Sequence, residues 1–183
     1  MYALCIGMVS MIACEDPDEK PLPPAIETKY DVMGLREIPV GLWVTPPGAY
    51  QNSTEYARIR GCGMNFVNGF HYFENSNLKI MQTLDFCSEN NLKYFANKAV
   101  VADDIVKYAN KPDDALLKKF TDGIKPYANH PAFAGELMMD EPGKPFFAAL
   151  SKFSQFYYLV YPDKLWHVNL FPMYATGGIQ APS

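Results

Sequence analysis

The sequence predicts an α/β fold built on a parallel sheet. Three observations carry this. From about residue 36 onward, short apolar runs alternate with longer amphipathic ones. The short runs are apolar almost throughout rather than at every second position, as in strands buried on both faces. The longer runs carry helix start and stop signals, so the order reads strand, helix, strand, helix.

The elements follow in order. The run "IPVGLWV" (38–44) reads as a strand. The segment "NSTEYARIRGCG" opens on the capping residues Asn52 and Ser53 and closes on glycine, so it reads as a helix. A second strand is "MNFVNGF" (64–70), and the helix after it is "NSNLKIMQTLDFCSENN". The third strand is "LKYFANKAV" (92–100), followed by a short helix over "ADDIVKYAN". "KPDDALLKKFTDGIKPYANH" begins with a proline and two acids, a good helix start. "PAFAGELMMDE" (131–141) is the fourth strand, "PFFAALSKFSQFYYLVYP" (145–162) a broadly apolar helix, and "KLWHVNLFP" (164–172) the fifth strand. The remaining "MYATGGIQAPS" is loop-like. Leaving the short "ADDIVKYAN" segment aside, the expected total is about five strands and four helices.

Composition narrows the function classes. With 49% hydrophobic and 14% aromatic residues among 183, the chain suits one packed domain. The net charge is -4, of mixed sign along most of the chain, with no basic stripe, so nucleic acid is not an expected partner. Neither a G-x-G-x-x-G after the first strand nor a P-loop occurs, and no cysteine–histidine spacing suits zinc. No cofactor or metal is expected. A doubly wound sheet and a (β/α)8 barrel both fit this pattern. The strand ends carry polar and aromatic residues: Trp43 and Thr45, Asn68 and His71, Asn97 and Lys98, Asp140 and Glu141, Asn169. In a barrel these share the C-terminal face, where active sites of that fold sit.

The first 35 residues read differently. "MYALCIGMVSMIA" (1–13) is uncharged, apolar and too short for a spanning helix of ~20 residues, as the core of an export signal is. Met11-Ile12-Ala13-Cys14 resembles the lipobox of bacterial lipoproteins. That resemblance implies cleavage before Cys14 and lipid on its thiol. Residues 14–35 then form an acidic, proline-rich tether, and acids directly after Cys14 resemble the surface-export signal of lipoproteins in the Bacteroides group. The implied location is the outer membrane or cell surface, reached through the lipid alone. A buried N-terminal strand or helix is the alternative. Cys62 and Cys87 are expected as buried free thiols, with a disulfide as the alternative.

The segments "HPAFAGELMMDEP" and "YPDKLWHVNLFP" resemble the fourth and fifth strands of glycoside hydrolases with a (β/α)8 barrel, most closely glycosidases of Bacteroides-type bacteria. In the large retaining clan the fourth strand ends in Asn-Glu-Pro. By that match Glu141 is the acid/base, and Asp140 stands in support where the clan has Asn. An oligo- or polysaccharide is the implied substrate. Such chemistry needs a carboxylic acid to protonate the leaving oxygen, and a second carboxylate ~5 Å away for retention or ~6.5–9.5 Å away for inversion. In the clan that partner comes from a seventh strand. A full barrel takes ~250 residues, so residues 36–183 are expected to be an incomplete barrel and the chain a fragment without its nucleophile.

Candidate substrate-binding residues are Trp43, Asn68, His71, Tyr72, Lys98 and Asn169, with Phe73 and Tyr174 as further aromatics for sugar stacking. Each has a plainer reading. Glu141 can cap the next helix, Lys98 can be a solvated lysine, His71 a loop histidine, and the aromatics core. His167 shares strand parity with Asn169, Glu136 is expected to be paired, and His130 to be structural. The competing function is a non-catalytic glycan-binding lipoprotein, and a third reading is an α/β domain of unrelated function.

Overall fold

A computed structural model describes residues 38–70, 76–97 and 99–172. The export segment, Cys14, the tether, His71, Tyr72, Phe73, Lys98 and Tyr174 lie outside the described residues. The described residues form five strands and five α-helices: β1 (Gly41–Val44), α1 (Ser53–Gly61), β2 (Phe66–Phe70), α2 (Asn77–Glu89), β3 (Lys93–Ala96), α3 (Ala99–Asn110), α4 (Asp114–Ile124), β4 (Phe133–Asp140), α5 (Phe147–Val160) and β5 (Leu165–Asn169).

Local signals account for most of the boundaries. Asn52, Ser76 and Asp113 each accept a hydrogen bond from a backbone N–H in the first turn of α1, α2 and α4. The expected third strand is too long. It ends at Ala96, and Ala99 and Val100 open α3, a full helix of 12 residues that brings the count to five. The pair Val100-Val101 mimics a strand by its β-branching, but continuity with the amphipathic run behind it decides the matter. Cys87 is buried as expected; Cys62 is exposed at the end of α1, and both thiols are free.

All four strand pairings are parallel, and the order is β1-β2-β3-β4-β5. Each crossover therefore advances one place in the same direction. Consistently, all five helices bury residues in one cluster, among them Tyr56, Leu84, Ile105, Phe120 and Phe153, against Val67, Tyr94, Phe133 and Met138 of the strands. A doubly wound sheet instead reverses its order and carries helices on both faces. The aromatic centre of this layer is Phe120, Phe153, Tyr157 and Trp166, with ring centroids 5.5 to 6.0 Å apart along the contacts between α4, α5 and β5. Full burial of one such ring contributes roughly 2–3 kcal/mol.

The other face is smaller and separate. Phe95, Ala134 and Leu137 form its core, with Phe66 and Leu165 beside them. This face is strongly concave. Trp43 on β1 and His167 on β5 meet with ring centroids 6.2 Å apart, although four strand steps in a flat sheet separate them by about 19 Å.

Side chains complete the frame at the strand starts. Asn65, 1% exposed, accepts from the Val40 N–H and donates to the Ile38 carbonyl, each at 2.8 Å. It thus straps the incoming segment onto the foot of β2. Asp104, 1% exposed, accepts from Lys119 at 3.0 and 3.1 Å and ties α3 to α4.

Three register shifts interrupt the ladders. β2 has two residues, Asn68 and Gly69, opposite Trp43 of β1. β4 has an extra residue at Ala134 against β3 and another at Met138 against β5. Bulges of this kind re-aim the side chains that follow them. Gly69 is required for its bulge: a Cβ there would lie 2.5 Å from the Tyr94 hydroxyl and 2.6 Å from the Phe95 carbonyl oxygen. Gly135 lets β4 approach β5 so closely that a Cβ would run into the backbone of Leu165.

Candidate functional site: the concave face and the tip of β4

Register partners in a parallel sheet share a face. Phe95 lies on the concave face, so its partner Asn68 does too, while Val67 and Tyr94 pair on the helix side. On β4, Glu136 pairs with Trp166 on the helix side and Leu137 with His167 on the concave side. Strict alternation would then return Asp140 to the helix side. The bulge at Met138 prevents this. Met139 pairs with Val168 on the helix side, and Asp140 pairs with Asn169 on the concave side.

Asp140 and Asn169 are bonded, the Asn169 amide donating to Asp140 Oδ1 at 2.7 Å. The Asn169 carbonyl also accepts from the Glu141 N–H at 2.8 Å. One residue of β5 therefore holds both adjacent acids, one through its side chain and the other through its backbone. Glu141 has φ 47, a left-handed conformation that costs a non-glycine residue roughly 1–2 kcal/mol. Its side chain is exposed and caps nothing: neither the 3-10 turn Lys144–Phe146 nor α5 receives a side-chain cap. Strain at the tip of a strand, beside a second acid, is the kind of outlier that clusters at functional sites.

Below these acids the concave face grades from polar to apolar. Asn97 donates to the Leu137 carbonyl at 2.8 Å. Asn68 is 2% exposed, and among the described residues its Oδ1 has no hydrogen-bond partner. A buried acceptor left in that state costs about 1–3 kcal/mol. His167 lies edge-on to both Trp43 and Phe95, whose ring centroid is 5.5 Å from its own. Burial pushes its pKa below 6.5, so the ring is neutral at neutral pH. The sign of the linkage follows. The unfolded chain takes up the proton first, so the His167 contribution to stability is intact above pH 6.5 and is lost as pH falls below it. A melting series from about pH 7.5 to 5 should show wild type losing more stability than His167→Phe; parallel curves would refute this.

The structure thus brings together Trp43, Asn68, Asp140 and Asn169 on the concave side of the strands, with Glu141 at the rim. His167 joins them as a central ring, a place that its parity with Asn169 foreshadows. Glu136 is paired, as expected. Fully buried on the helix side, it accepts from the Tyr127 hydroxyl at 2.6 Å, away from this face. His130 sits before β4, accepting from the Ala132 N–H and lying 3.2 Å from Asp85, a structural role. Nothing in "GELMMDE" marks Met138 as the bulged residue, so the side that Asp140 takes is not legible in the sequence. Among the described residues no group of three or more His, Cys, Asp or Glu is arranged to hold a metal. An apolar groove of about 380 Å³ between α5 and β5, lined by Leu150, Trp166 and Val168 among others, lies on the helix side and offers no ionisable group.

Compared with protein-family models and with curated proteins, the chain matches none.

Proposed function

We propose that this chain carries consecutive strands of a (β/α)8 barrel of the glycoside hydrolase type, with Glu141 as proton donor and Asp140 as its support. One observation carries the reading: β4 bulges at Met138 and then kinks at Glu141, so that two adjacent acids stand where the strand leaves the sheet, fixed by Asn169. The barrel part is supported by the unbroken strand order, by helices on one face only, and by ring contacts that link β1, β3 and β5 across the concave face. Barrel interiors are filled by side chains from alternate strands in this way.

In this reading Glu141 gives its proton to the glycosidic oxygen as the bond to the anomeric carbon breaks. Trp43 offers an aromatic surface at the rim, 38% exposed. His71, Tyr72 and Lys98, which follow β2 and β3 in sequence, are proposed as further sugar contacts. The second carboxylate is a residue other than Asp140, which is too close in sequence to stand on the opposite side of a sugar ring. The test is Glu141→Gln in the intact protein, with turnover of a glycan panel as the readout. Equal turnover by variant and wild type sinks the assignment.

A non-catalytic glycan-binding protein is the second reading. It is favoured by one fact: among the described residues, Asp140 is the only carboxylate paired into the concave face. It predicts glycan retention by wild type without turnover, unchanged in Glu141→Gln.

Residues 1–13 and 14–35 are proposed as export signal and lipid-anchored tether, with Cys14 as the lipidated residue. No described helix is long and apolar enough to cross a membrane. Cys14→Ser expressed in a bacterial host should lose labelled palmitate and leave the membrane fraction. Membrane association equal to wild type would refute the anchor.

A further inference from the structure

We infer that Asn68 is retained for a ligand rather than for the fold, as the acceptor of a sugar hydroxyl that reaches the floor of the concave face. Its position is built. Asn68 pairs with Phe95 on that face and is, with Gly69, one of the two bulged residues opposite Trp43, and the bulge depends on Gly69 having no Cβ. Its Oδ1 is buried and, among the described residues, without a donor. Polar atoms in that state are rare in folded proteins, and each needs a reason. The surroundings give one. Within the concave cluster Phe66, Phe95 and Leu137 have no side-chain donor, the Asn97 amide is bonded to the Leu137 carbonyl, and the His167 ring is set edge-on to Trp43 and Phe95. A ligand hydroxyl would supply the missing donor, and the aromatic faces around it suit the apolar face of a sugar ring. A carbonyl oxygen accepts and cannot donate, so the ligand must present an O–H or N–H at this point. The choice of a sugar rests on the glycan reading above; the unpartnered acceptor does not.

Two measurements separate these parts. The first is thermal unfolding of Asn68→Leu, with Asn68→Val as a smaller alternative in case leucine does not fit. If Asn68 serves a ligand, removing the unpaired amide raises the melting temperature, by about 2–8 °C. A fall in both variants means that the fold needs Asn68, and overturns the inference. The second is NMR titration of the wild-type chain with methyl glycosides of glucose, galactose and mannose, reading the Asn68 side-chain amide pair. A shift with one of them, absent for the Asn90 amide on α2, supports the site. No shift with any of them overturns the sugar assignment. Neither measurement depends on Glu141, so a protein that binds at Asn68 without turnover keeps this inference and loses only the catalytic one.

Discussion

On the proposed acid/base role, replacing Glu141 by glutamine is expected to lower glycan turnover by about 10²–10⁴-fold, the span that a positioned general acid supplies, and to leave the melting temperature unchanged. Gln keeps the shape and exposure of Glu but has no acid proton to give. The strain at this residue makes a second substitution more informative. With φ 47, Glu141 occupies a conformation that glycine adopts freely, and it precedes a proline, which narrows its backbone choices further. Glu141→Gly should therefore stabilise the fold by about 1 kcal/mol while losing as much turnover as Glu141→Gln. The divergence of stability from activity is the signature of a residue kept for function at the expense of the fold. A Glu141→Gly variant that melts below wild type would mean that the carboxylate supports the structure, and the catalytic assignment would lose its best argument.

Gly135 carries the largest expected effect on stability. Gly135→Val should cost about 3 kcal/mol or more, a large share of the ~5–15 kcal/mol typical of a domain. The three atoms nearest to an added Cβ are the O, C and N of Leu165, all backbone of the neighbouring strand. No rotamer change can clear them. Gly41 makes a useful contrast, because a Cβ there meets the ring of Phe66, a side chain that can turn. Separation of β4 from β5 would also remove Asn169 from Asp140 and the Asn169 carbonyl from the Glu141 N–H, so the variant should lose whatever the tip of β4 does. Urea unfolding followed by tryptophan fluorescence checks the first point, since Trp166 on β5 packs against Phe120 and Tyr157. A midpoint equal to that of wild type would show that the two strands tolerate wider spacing.

How much of this was legible in the sequence differs by level. The α/β alternation was readable because buried parallel strands and amphipathic helices leave different apolar periods, and all five strands fall inside the predicted runs. The caps at Asn52 and Asp113 were equally local. The end of β3 was not, because Val100-Val101 reads as strand until the rest of α3 is weighed. The strand order and the curl of the sheet are long-range properties with no local signature. At the site, strand-end position nominated Asn68, Asp140 and Asn169 for the C-terminal end of the strands and not for a side of the sheet; the register puts all three on the concave side. Asp140 stands there despite alternation, which puts residue 140 with residue 136 on the helix side. Two bulges decide that question, and only Gly135 hints at either of them. The contact of Trp43 with His167 was beyond sequence reasoning altogether, since it joins the two outermost strands of the sheet.

Asn65 has a consequence for how this chain tolerates change. Its amide does at the foot of β2 what another rung of ladder would do, gripping Ile38 and Val40 with one side chain. A strand held only by its ladder can slip by a residue, and a slip of one turns every side chain to the wrong face. A grip from a fixed point cannot slip in that way. The segment before Ile38 can therefore lengthen, shorten or drift in composition over evolutionary time while Trp43 stays aimed at the concave face, as if the sheet kept its own zero mark independent of whatever leads into it.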